Sequence, residues 1–92
     1  MKNNILKVKE YNLHGDLLYK RNSNGFEAWL EYDAKGNLTH FKNSYGVEIW
    51  EKYDDNGNRI HYKDSHGFEY WYDSDGKEIS KEEYKKLHGA HP

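Results

Sequence analysis

Residues 44–64 read SYGVEIWEKYDDNGNRIHYKD, and most of the chain is this unit written again. The unit before it, residues 23–43, reads SNGFEAWLEYDAKGNLTHFKN. The unit after it, residues 65–80, reads SHGFEYWYDSDGKEIS and lacks two residues beyond its tryptophan. Trp29, Trp50 and Trp71 recur at a period of 21 residues, as do Gly25, Gly46 and Gly67. A fixed period of this length marks one supersecondary unit stacked on its neighbours.

Within and around these units one turn signature recurs: Asn or Asp, two variable residues, then Gly. It occurs at Asn12–Gly15, Asn22–Gly25, Asp33–Gly36, Asn43–Gly46, Asp54–Gly57, Asp64–Gly67 and Asp73–Gly76. This chemistry suits a type I turn followed by a bulged glycine: the Asn or Asp side chain bonds back onto the turn backbone, and glycine accepts positive φ. Short strands at such spacing are an all-β signal. The segments between turns, such as Val47-Glu48-Ile49-Trp50-Glu51-Lys52-Tyr53, are rich in β-formers and alternate in polarity. Eight short strands are expected, over 5–11, 16–21, 26–32, 37–42, 47–53, 58–63, 68–72 and 77–79. Joined by hairpins, they form an antiparallel β-meander.

The turn geometry also sets a register. With Asn43 paired to Val47, Lys42 faces Glu48. The same rule sets Arg21 against Glu27 and Lys63 against Glu69, three opposite-charge pairs from one assumption. At the other strand ends Tyr32 meets Leu38 and Tyr53 meets Arg59. A period of 21 is odd, so strict alternation sends successive tryptophans to opposite faces. Trp50 then shares a face with His40 and Tyr62, and Trp29 and Trp71 take the other, unless the sheet curls or extra bulges restore parity. A closed barrel needs a filled interior. Leu, Ile, Val and Phe number only 16 of 92 residues, which favours an open, twisted sheet.

Beyond Ile79 the pattern changes. Ser80 with Glu83 makes a capping box, and Ile79 with Tyr84 fits a hydrophobic staple. Lys85, Lys86 and His88 suit a helix C-terminus, with Gly89 just past it. A helix over 81–88 is expected, with Tyr84 and Leu87 packed on the sheet, because eight residues do not hold a helix alone. The chain is thus expected to be one domain: a repeat sheet over 1–79, a helical segment over 80–89 and a tail over 90–92.

Composition narrows the class. Nine Tyr and three Trp supply apolar area that the aliphatics do not, and the formal charge of −2 is far from the excess that keeps chains unfolded. The absence of cysteine removes disulfides and thiolate metal sites. Nothing near Met1 resembles a signal peptide and no apolar run reaches membrane-spanning length, so a cytoplasmic protein is expected.

The pattern G-x-E-x-W-x-x-Y-D-x-x-G-N resembles the YD repeats of Rhs-type proteins. Tyr32-Asp33 with Gly36-Asn37, Tyr53-Asp54 with Gly57-Asn58, and Tyr72-Asp73 with Gly76 carry the likeness, which covers about residues 11–80. In that family many such repeats wind into a long β-sheet. The resemblance implies strand–turn–strand architecture and no particular activity.

Several constellations invite chemistry. Asp73-Ser74-Asp75-Gly76 looks like part of a calcium loop, but with Gly76 aligned to the loop glycine, Trp71 falls where the first Asp belongs; no cofactor or metal is expected. His40 and His61 occupy one repeat position, yet strict alternation puts them on opposite faces with no cluster to complete a site. Aromatics beside Lys suggest a stacking platform for single-stranded nucleic acid, but each relevant cation has a glutamate opposite and no net positive field remains. The turns at one end of the sheet carry Asp33, Asp54, Asp55, Asp73 and Asp75, an acidic rim suited to a basic protein partner.

The expected function is therefore a small non-enzymatic module that binds another protein, of the kind phages and mobile elements use as inhibitors: anti-defence or anti-CRISPR factors, or toxin immunity proteins. The alternatives are a structural module that self-associates through open sheet edges, and a small hydrolase or nuclease using His40 or His61. The expected partner site is Trp50, Tyr62 and His40 with the acidic turn at Asp54 and Asp55.

Overall fold

The computed structural model describes residues 8–89. They form one open eight-stranded antiparallel sheet in which spatial order follows chain order. The strands are β1 Val8–Tyr11, β2 Leu17–Arg21, β3 Glu27–Tyr32, β4 Leu38–Asn43, β5 Glu48–Tyr53, β6 Arg59–Asp64, β7 Glu69–Tyr72 and β8 Glu78–Ile79, followed by the helix α1, Lys81–His88. Each boundary that falls on the described residues is within a residue of its expected place. The expected strand start at residue 5 and the tail over 90–92 lie outside the described residues.

All seven turns close alike. At the central one, the Asp54 N–H donates to the Asn58 carbonyl at 2.9 Å and the Gly57 N–H to the Asp54 carbonyl at 3.0 Å. Gly57 has a φ of +87°, the positive value that the bulged position of this three-residue loop requires. The pairs Arg21–Glu27, Lys42–Glu48 and Lys63–Glu69 face one another as the turn register demands.

The faces are another matter. On three strands the ladder skips one residue: Leu18, Thr39 and Ile60 have no partner, so Glu31 pairs with His40 while Tyr32 pairs with Leu38, and Lys52 pairs with His61 while Tyr53 pairs with Arg59. These three residues are themselves 21 apart. One unpaired residue per unit makes the odd period behave as an even one. Trp29 faces Lys42, His40 faces Trp50, and His61 faces Trp71, so all three tryptophans share a face. Strict alternation is thereby overturned in favour of the bulged arrangement. The bulges also match apolar partners on the other face, where Leu30, Phe41 and Ile49 form a cross-strand row in place of the Leu30–His40 pairing an unbulged strand would make. Such pairs are worth about 0.2–1 kcal/mol each.

Little of the molecule is inside. Only Ala28, 2% exposed, and Ile60, 8% exposed, are buried among the described residues. The radius of gyration is 16.7 Å, against about 12 Å for a compact chain of this length. The sheet is a single layer held by its ladders, its turns and cross-strand side chains. Serines stitch successive units together: the Ser65 N–H donates to the Glu48 carbonyl at 2.8 Å, and its Oγ accepts from the Glu48 N–H at 2.9 Å. Ser44 does the same for Glu27.

α1 begins as expected, with Ser80 Oγ accepting from the Glu83 N–H at 3.1 Å. The seated edge differs. Tyr84 lies against His61 and against His88, and His88 Nε2 reaches the Tyr72 carbonyl at 3.2 Å. Leu87 is 60% exposed. With His88 taking the sheet one turn beyond Tyr84, the helix rolls Leu87 outward.

Candidate functional site

The tryptophan face carries one three-residue group written three times. In the central copy, His40 and Trp50 stack with ring centroids 5.7 Å apart and planes at 26°, and His40 Nε2 lies 2.7 Å from Glu48 Oε2. In the next, His61 stacks on Trp71 at 5.7 Å and bonds Glu69 at 2.8 Å. In the first, Tyr19 packs at 5.8 Å from Trp29 and its hydroxyl donates to Glu27 at 2.5 Å, which raises the phenol's pKa. The glutamates face cations along the ladder but bond diagonally to the His or Tyr of the neighbouring strand. The Lys–Glu ion pairs implied by the register do not form among the described residues. Lys63 instead places its ammonium 5.9 Å from the Trp50 ring, so that indole is flanked by an imidazole and a cation.

Both histidines line one broad cleft of about 830 Å³ together with Trp50, Lys52, Lys63 and Glu31. The expectation that His40 and His61 lie on opposite faces is corrected: the bulge at Ile60 turns His61 to the side of His40. His40 Nε2 is bonded to Glu48, and its Nδ1 lies 3.5 Å from the exposed carboxylate of Glu31. Among the described residues no group of three or more His, Asp or Glu side chains is arranged to hold a metal ion. No helix of the described residues is long and apolar enough to cross a membrane.

The expected partner site is split by the same bulges. Trp50 and His40 come together, but Tyr62 faces Glu51 on the other side of the sheet. There it joins a different group: the Arg59 guanidinium lies 5.1 Å from the Tyr62 ring and 5.3 Å from the Tyr72 ring, and the Tyr62 hydroxyl donates to Asp64 at 2.6 Å. On that side burial, with a bond to Glu51, pushes the Tyr53 phenol up to about 12. Phe68, 56% exposed, stacks on Tyr70 beside this group, an apolar surface that sequence reasoning did not single out.

The acidic turn also divides. Asp54 Oδ1 accepts from the N–H groups of Asn56 and Asn58 at 3.0 and 2.9 Å, and Oδ2 from the Asn58 amide at 3.1 Å. These bonds, chiefly the one to the Asn58 backbone, lower its pKa. Asp33 is used identically. Asp54 is thus a turn-building residue, and Asp55 is the exposed acid at the tip. The Asp55 carbonyl accepts from Lys35 of the adjoining turn.

Compared with known proteins, the chain matches no family model and no curated protein.

Proposed function

We propose that this chain is a non-enzymatic protein-binding module whose docking surface is the tryptophan face around Trp50 and His40, with Asp55 at its rim. One observation carries the reading: among the described residues only two are buried, and Trp29 and Trp50, each 38% exposed, stand on one face two strands apart. Tryptophans in that setting are the residues on which binding energy concentrates. Inhibition by occlusion is the mode of action that fits, since the face offers affinity and the histidines on it are already bonded. The scaffold is read as a short array of YD-type repeats, on the strength of the Tyr-Asp turns at Asp33, Asp54 and Asp73.

The test is capture of partners by the immobilised chain, with affinities then measured for purified candidates. A saturable partner bound at least tenfold more weakly by folded Trp50→Ala supports the reading. A folded Trp50→Ala that binds every captured partner at unchanged affinity removes this face, and no saturable partner removes the module. Self-association is a second reading, because β1 and β8 are not paired with each other and leave the sheet unclosed. A mass by light scattering that grows with concentration would favour it.

A further inference from the structure

We propose that the seat formed by His40 and Trp50 receives a short helix of the partner protein, carrying an aromatic residue followed four positions later by Lys or Arg. This rests on the protein-binding reading above and specifies what is bound.

The molecule shows the occupant on an equivalent seat. One repeat along the chain, the His61–Glu69–Trp71 group repeats the His40–Glu48–Trp50 group in stacking and in hydrogen bonding. That seat is filled by α1: the Tyr84 ring lies 5.9 Å from His61, and His88, four residues on, packs 4.7 Å from Tyr84. Burial there raises the Tyr84 pKa. Residues four apart share a helix face, so two side chains define the contact, and Leu87 takes no part in it. Trp50 keeps 38% of its surface in water. The His–Trp stack and His–Glu bond beneath α1 are therefore present a second time.

The two seats differ in the residue that faces the histidine, and Lys63 lies over the Trp50 ring where Ile79 faces Trp71. The residue facing His61 across the strand is Lys52; the residue facing His40 is Glu31, whose side chain is 73% exposed. Asp33 stands where Asp54 stands in the filled seat. The open seat thus sets Glu31 and Asp33 where the filled seat sets Lys52 and Asp54. A basic residue at the position of His88 complements them. A neutral or acidic one does not.

The probe is a lactam-constrained helical peptide with the sequence of residues 80–89 in which His88→Arg has been made, since a free peptide of this length would not hold its helix. It is titrated into the full chain carrying Trp29→Phe and Trp71→Phe, with Trp50 emission and the His40 ring proton resonances as readouts. The expected result is saturable movement of both signals, at least tenfold weaker binding by a Tyr84→Ala peptide, and a switch of preference from Arg to Glu at the His88 position when the chain carries Glu31→Lys. If the double Trp→Phe chain fails to fold, the His40 resonances of the natural chain and of Glu31→Lys, a change at an exposed residue, give the same answer. Indifference to Tyr84→Ala or to Glu31→Lys overturns the proposal. So does a concentration-dependent doubling of mass that buries Trp50, which would assign the seat to a second copy. A captured partner that protects Trp50 but is not displaced by the peptide sinks this inference alone; loss of every partner sinks the binding reading with it.

Discussion

Trp29 lies opposite Lys42 and not opposite Phe41. The turn at Asp33 by itself, which sets Tyr32 against Leu38, would have aligned Trp29 with Phe41. The unpaired Thr39 moves the register by one residue, and Leu18 and Ile60 do the same in the flanking units. That single step per unit gathers Trp29, Trp50 and Trp71 on one face and gives the sheet a side worth binding.

The bulges differ in what they bury. Ile60 is 8% exposed and lines the cleft, whereas Leu18 is 36% exposed. Ile60→Ala is expected to cost about 2–3 kcal/mol, toward the low end for removing a buried aliphatic, and Leu18→Ala under about 1 kcal/mol. Denaturant unfolding of the two variants checks the difference. Equal costs would mean that Ile60 is not the packed member of the set.

The turn glycines bear strain rather than crowding. Gly36 and Gly57 have φ of +88° and +87°, and a Cβ at either would meet nothing within 4 Å. Gly57→Ala should therefore cost about 1–2 kcal/mol for the left-handed backbone alone. Gly57→Asn should cost less, because Asn tolerates that region. Melting of Gly57→Ala unchanged from the natural chain would remove the bulged-turn assignment.

Acid should loosen the turns. Backbone hydrogen bonds hold the Asp33 and Asp54 carboxyls below their ordinary range, chiefly those from Asn37 and Asn58. A depressed folded-state pKa contributes stability that is complete above the unfolded value, about pH 4, and is lost as pH falls through the lower folded value. Three of the seven turns already use Asn at this position. The double variant Asp33→Asn, Asp54→Asn should fold normally and lose part of the decline in stability below about pH 4. A pH profile identical to that of the natural chain would contradict the role given to these carboxylates.

Metal should leave the protein unchanged. The aspartates of the turns are spent on backbone N–H groups and the two repeat histidines on glutamates. Stoichiometric calcium or zinc is expected to shift the melting temperature by less than about one degree. A rise of several degrees that chelator reverses would reveal a site.

Turn chemistry is local, and so it was legible from residue types alone: an Asn or Asp side chain bonding its own loop and a glycine at positive φ need no distant partner. From those turns followed eight strands, their order and the three charge-facing pairs at the strand ends; the helix begun by Ser80 followed from its own capping box. The face each side chain takes was not legible in that way. It depends on whether one residue per unit leaves the ladder, and with that residue out Leu30, Phe41 and Ile49 match across strands in the assembled sheet. The same tertiary decision separated Tyr62 from Trp50, brought His61 round to the side of His40, and turned Glu48 and Glu69 from the facing lysines to the diagonal histidines. It also chose His88 over Leu87 as the helix residue that meets the sheet, because the Tyr72 carbonyl and the Tyr84 ring, brought together only in the folded chain, satisfy an imidazole better than they satisfy a leucine.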